Sequence, residues 1–158
     1  MSTESFENNP LKRVRTIADF QYGQGVGERM FPGNTEFRFS NTGRVRYILL
    51  EGERLATLRA GDGRLTLGIA GARRLKEAVL PPRYRVVPAD EVAGFISSGK
   101  NAMAKHVVSA DEEIRAGEEV LVVTGTDELI ATGTAVLSGS EMLAFNYGVA
   151  VQVRKGRD

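Results

Sequence analysis

Glu118-Glu119-Val120-Leu121-Val122-Val123, then Leu129-Ile130-Ala131-Thr132-Gly133-Thr134-Ala135, then Gly148-Val149-Ala150-Val151 are the runs that decide the fold. Val120 to Thr124 is nearly all apolar, the mark of a strand buried on both faces. Thr126-Asp127-Glu128 turns the chain into a second strand, Leu129 to Leu137, interrupted at Gly133 by a bulge or barrel corner. Gly148 to Arg154 alternates at Val149, Val151 and Val153, as a half-buried strand does. Working outward, Tyr84 to Val87 is a short strand. Ala89 to Ser98 is helical, with Val92, Phe95 and Ile96 as its buried set, and Gly99 takes the cap position in Ser97-Ser98-Gly99-Lys100-Asn101. Lys105 to Ser109 reads as a strand, Arg115 to Glu118 as a turn, and Ser140 as the cap of one helical turn through Ala144. Five or six short strands with one helix, over about 75 residues, fit a small closed or half-closed barrel.

Ahead of this region the period changes. Ile69, Ala72, Leu75 and Val79 share a face of a helix over Ile69 to Leu80, with Arg74 pointing away and Arg73 and Lys76 at the margins. Pro81-Pro82 stops that helix and sets a domain boundary. Upstream, Glu36 to Phe39, Arg44 to Leu50, Arg54 to Ala60 and Arg64 to Leu67 are strands. Turn signals at Asn41-Thr42-Gly43, Glu51-Gly52-Glu53 and Gly61-Asp62-Gly63 join them into an antiparallel meander. Val14 to Phe20 is a short helix or an extended lead-in, and residues 1–12 are expected to be a flexible tail. The expected fold class is therefore α+β. A small antiparallel α+β domain at 1–82 precedes a β pseudo-barrel at 83–158.

Composition narrows the chemistry. The chain has 158 residues, no Cys, no Trp and a single His, so disulfides, thiolate metal sites and multi-His metal sites are excluded. No catalytic residue, metal or cofactor is assigned. No apolar run is long enough to span a bilayer. The polar start from Met1 to Pro10 is neither a signal nor a transit peptide, so a cytoplasmic protein with no membrane partner is expected. The net charge of +1 hides an asymmetry: 15 of the 21 Lys and Arg precede Val87, against 9 of the 20 acids. A basic front and an acidic back point to a polyanion partner for the basic part, and Arg forks onto phosphate well.

The remaining motifs are weak. Gly23-x-Gly25-x-Gly27 lacks the strand and helix of a dinucleotide fingerprint and reads as a conformationally demanding loop. Asp111, Glu112 and Glu113 sit before a polar turn and read as a solvated acidic loop. Ser98-Gly99-Lys100-Asn101 allows close backbone approach to a phosphate, and Arg154-Lys155 on the last strand could reach the same ligand. Each of these, alone, is also an ordinary exposed cap or tail.

In order, the three opening runs resemble the PUA domain, over residues 83–155. The front half is similar to the module that precedes PUA in archaeal tRNA-guanine transglycosylases and archaeosine synthases. It matches at Ala18-Asp19-Phe20-Gln21-Tyr22-Gly23, Thr42 to Arg46, Leu55 to Ala60, Asp62 to Leu67 and Gly71 to Leu75. The transglycosylase family carries a (β/α)₈ catalytic domain with an Asp nucleophile and a Cys/His zinc site, and the synthases a Cys motif. None of these has a matching position here. What the resemblance implies is RNA binding through Ser98, Gly99, Lys100, Asn101, Lys105, His106, Arg154 and Lys155. Arg73 and Arg74 are added from the helical wheel and the front-half charge.

The expected function is binding of RNA, with the tRNA acceptor end first, as accessory or split subunit of an archaeosine-type tRNA-modification enzyme. The alternative is a protein–protein adaptor for such an enzyme, with weak RNA binding of its own. An enzyme working through unrecognised Asp or Glu is the third reading.

Overall fold

The computed structural model describes residues 9–158, and the chain divides after Ala78 into two compact units. Most of the expected tail lies outside the described residues, but its end does not. Asn9 caps a helix, α1 (Pro10–Tyr22), accepting a hydrogen bond from the Lys12 amide on its side chain at 3.1 Å, with Pro10 in the first turn. Val14, Ala18 and Tyr22 recur every four residues and are buried. The glycine-rich loop leads into α2 (Val26–Met30), and the Asp19 carboxylate accepts from the Gly27 amide at its start at 2.7 Å. That loop serves the chain's own helix.

Strands β1 (Glu36–Phe39), β2 (Val45–Leu50), β3 (Glu53–Leu58) and β4 (Leu65–Leu67) form the antiparallel meander in chain order. Ile48, Ala56 and Leu67 lie opposite one another on its buried face. Helix α3 (Ile69–Ala78) packs on β3, and α1 on β4. The helix stops three residues before Pro81.

The second unit holds β5 (Arg85–Pro88), α4 (Ala93–Ser97), β6 (Ala102–Met103), β7 (Val107–Ala110), β8 (Glu119–Val123), β9 (Leu129–Ala135), α5 (Gly139–Ala144) and β10 (Val149–Gly156). The sheet order is β6-β10-β9-β8-β5-β7, all antiparallel except β5 with β8. Its two edge strands, β6 and β7, are consecutive in the chain, joined only by the 3₁₀ turn Ala104–His106. Four residue steps span at most about 14 Å. Edge strands of a flat six-stranded sheet would stand about 24 Å apart. The sheet therefore curls back on itself, and Val86, Ile96, Ile114, Val120, Val122, Ile130, Met142 and Val151 fill the space inside.

Several local expectations are corrected. Phe95 is 64% exposed and only Ile96 of its set is fully buried, because a 3₁₀ turn (Asp90–Val92) and the five-residue α4 replace one longer helix. Lys105 and His106 lie in the connecting 3₁₀ turn rather than in a strand. Ser138, not Ser140, caps α5, through a capping box with Glu141. Gly133 lies within β9, opposite Val153, and the irregularity falls in β10 instead. Asp111 is buried, accepting from the amides of Tyr84 at 2.8 Å and Glu113 at 3.0 Å, so the solvated acidic loop is Glu112 and Glu113.

Candidate nucleic-acid interface

The end of α4 and the end of β10 meet. Helix α4 closes with paired bonds from the Gly99 amide to Ile96 O at 2.9 Å and from the Lys100 amide to Phe95 O at 3.0 Å. This closure needs a left-handed residue, and Gly99 supplies φ +112°. Ser98 Oγ adds a bond to Phe95 O at 2.8 Å. Asn101 Oδ1 then accepts from the Val153 amide at 2.9 Å, where β10 shifts register between Val153 and Lys155. Gly156 lies so close to α4 that an added Cβ would stand 2.1 Å from Ser97 O. The Asp158 amide bonds Ser97 O at 2.9 Å, and Ser97 Oγ donates to the Asp158 carboxylate at 2.7 Å.

Ser98, Gly99, Lys100 and Asn101 are thus brought beside Arg154 and Lys155. Lys100 and Lys155 are exposed and make no ion pair among the described residues. Arg154 differs. Its guanidinium grips the buried Glu119 carboxylate with both terminal nitrogens, one at 2.9 Å, and reaches Thr134 Oγ1 at 2.8 Å. Lys105 and His106 lie at the other end of β10, where the Ala104 amide bonds Gly148 O at 2.9 Å. Six strand residues separate the two ends, about 20 Å. The eight residues expected in this unit therefore form two groups along one strand.

Residues 84–157 match the family model of the PUA domain, and residues 12–82 that of the patch-forming domain C2 of tRNA-guanine transglycosylase. Residues 84–157 are a PUA domain. The chain is 48% identical over 148 residues to the tRNA-guanine(15) transglycosylase of Pyrococcus abyssi, covering 94% of this chain and 25% of that protein. It is 44% identical over 147 residues to the same enzyme of Methanothermobacter thermautotrophicus, covering 92% of this chain and 22% of that protein. The chain thus spans about a quarter of the length of these relatives. A hypothetical protein from Pyrococcus horikoshii superposes with TM-score 0.72 at 26% identity, over 94% of this chain and 90% of that one. A PUA domain protein from Aeropyrum pernix shares the fold, with TM-score 0.67 at 16% identity over 99% and 85% of the two chains.

The PUA domain also carries aromatic residues that the sequence reading missed. Phe145 and Tyr147, just before β10, stack at 5.9 Å between centroids and 4° between planes, and Tyr147 is 72% exposed. They adjoin Gly148, and so the Lys105 and His106 turn. Two aromatics two apart in the polar segment Phe145-Asn146-Tyr147-Gly148 were the available signal. Exposed rings of this kind offer faces for unpaired bases.

In the C2-type unit, Arg73 is exposed beside a shallow depression lined by Glu51, Glu53 and Glu77. Arg74 is half-buried rather than turned to water. Its Nε donates to Met30 O at 2.7 Å and its terminal nitrogen to Arg29 O at 3.1 Å, closing the end of α2. Arg29 returns the arrangement, donating to Glu77 O at 3.1 Å and Ala78 O at 3.3 Å at the end of α3. Among the described residues, no cluster of three His, Asp or Glu is placed to hold a metal. No helix there is long and apolar enough to cross a membrane.

Proposed function

We propose that this chain binds RNA through its PUA domain, with the acceptor end of tRNA as target. It acts in the cytoplasm as an accessory or split subunit of an archaeosine-type tRNA-modification enzyme and does not itself catalyse the reaction. The observation that carries the reading is the junction of α4 with β10. There Ser98, Lys100, Asn101 and Lys155 lie around a backbone left open at Gly99, with Gly156 packed closely against the end of α4. Two unpaired ammonium groups and exposed amide and hydroxyl groups suit phosphate and sugar contacts, which position RNA without reading its sequence. Lys105, His106 and the Phe145–Tyr147 stack extend the surface toward an unpaired end. The relatives named for tRNA-guanine(15) transglycosylation support tRNA as the RNA. Arg154 and Arg74 enter chiefly as residues that hold the fold.

Fluorescence anisotropy tests this, using a tRNA transcript, the same tRNA trimmed of its 3′ single strand, an unrelated duplex RNA and a duplex DNA. The expected result is preference for intact tRNA, lost on trimming, with affinity falling steeply with salt. Equal affinity for all four, or no salt dependence, would overturn the reading in favour of a protein-docking role.

A further inference from the structure

The meander of the first unit has a second face, turned away from Ile48, Ala56 and Leu67. Strand register places Arg38 opposite Tyr47, Tyr47 opposite Thr57, and Thr57 opposite Thr66 on this face. Arg54 lies opposite Leu49, one alternation along from Tyr47. The Arg46 and Arg54 guanidinium carbons stand 5.7 and 5.9 Å from the centroid of the Tyr47 ring, which is 38% exposed. One exposed ring thus gathers two cations, with a third directly across the strand pair.

These cations are available. Arg38, Arg46 and Arg54 are exposed and make no hydrogen bond or ion pair with their side chains among the described residues. Glu36 and Glu53, the nearest carboxylates in register, pair with none of them. Like charges so placed repel one another, and a ligand of repeated negative charge relieves that repulsion. Guanidinium forks match the spacing of phosphate oxygens.

We propose that this sheet face is a second RNA-binding surface, contacting phosphodiester groups through Arg38, Arg46 and Arg54, with Tyr47 as the positioning residue that orders two of the three. It rests on the RNA-binding reading of the PUA domain and adds a surface outside it.

The test uses the whole chain, the same tRNA transcript and anisotropy across a salt series. The triple variant R38A/R46A/R54A is expected to bind about tenfold more weakly, with a log–log salt slope shallower by about 2–3, because each of the three phosphates left without its cation removes about 0.7–0.9. Tyr47→Ala should weaken binding by a smaller factor, and Tyr47→Phe should restore it. K100A/K155A should weaken binding separately, and the combined variant should show the product of the two factors. If K100A/K155A loses affinity while the triple variant binds like wild type, the sheet proposal is overturned and the PUA reading stands. If the wild-type chain binds no RNA, both fall. Circular dichroism confirms folding, and Arg38→Ala alone, which leaves the Tyr47 stack intact, replaces the triple variant should that fail to fold.

Discussion

The two units use arginine in different ways. In the PUA domain three arginines meet carboxylates: Arg85 with Asp127 at 2.9 Å, Arg157 with Glu128 at 2.6 Å, and Arg154 with Glu119 through both nitrogens. In the C2-type unit, apart from the exposed contact of Arg59 with Asp62 at 3.7 Å, backbone carbonyls and an aromatic ring take the place of carboxylates. Arg15, Arg29 and Arg74 donate to backbone oxygens, whereas Arg46 and Arg54 gather at the Tyr47 ring, with Arg38 opposite Tyr47 in register, and none of these last three is ion-paired among the described residues. Charge count and charge availability are thus separate quantities. The PUA domain offers its lysines, Lys100, Lys105 and Lys155, while the first unit offers arginines.

The largest expected effect comes from breaking a paired arginine. Arg85 is 3% exposed and donates to both Asp127 oxygens and to the carbonyls of Val79 and Arg83, at 2.9–3.3 Å. Arg85→Ala strands that carboxylate and two carbonyls, and should lower the unfolding free energy by about 3 kcal/mol in urea titration. Arg74→Ala should cost less, about 1–2 kcal/mol, because it removes two charge-assisted bonds at a helix end in a more exposed place. Arg38→Ala should change stability by less than about 0.5 kcal/mol. RNA affinity should run in the opposite order. An Arg38 variant that destabilises as much as Arg74→Ala would erase the distinction between the two kinds of arginine.

Glu119→Gln sharpens the comparison inside the PUA domain. The amide keeps the shape but loses the charge that holds Arg154. Stability should fall by about 1 kcal/mol, and the released guanidinium should steepen the salt slope of RNA binding by up to about 1. Arg154→Ala should lower the melting temperature yet weaken RNA binding less than Lys100→Ala does. The reverse ranking would return Arg154 to the contact surface.

Most strands were legible because they carry period or apolarity in their own residues, but β6, only Ala102 and Met103, is too short to show either and was missed. β8, apolar from Val120 to Val123, is buried throughout. The α4 cap was legible too, since Gly99 signals a left-handed turn locally. The misread features depend on distant partners. Lys105 and His106 sit in a 3₁₀ turn because the edges of a curled sheet must be joined within a few residues, a constraint set by β5 through β10 together. The engagement of Arg154 by Glu119 and of Arg74 by Met30 spans 35 and 44 residues, beyond any periodicity. Phe95 misled because α4 is too short to define a face. Ser140 was an avoidable error, since Ser138-x-x-Glu141 already spells a capping box. The Tyr47 cluster needed the β2–β3 register, which a bulge beside Leu49 sets.

The smallest expected effect lies where the PUA domain buries a titratable ring. Tyr84 holds φ +61°, is 9% exposed, and is fixed by the Asp111 carboxylate on its amide and the Leu121 amide on its carbonyl, both at 2.8 Å. Burial raises its phenol above the ordinary 10.0, and the Glu118 charge adds to this, while the Arg83 guanidinium, 5.3 Å from the ring centroid, opposes it. The unfolded phenol ionises at its ordinary value, whereas the folded one keeps its proton to higher pH. Its contribution to stability is therefore intact below pH 10 and is lost as pH rises through the folded value. Thermal melts from pH 9 to 11 should show the wild type falling more steeply than Tyr84→Phe, which cannot titrate there. Parallel slopes would mean that the ring ionises in the folded unit as freely as in water, and that the burial of Tyr84 imposes no electrostatic cost.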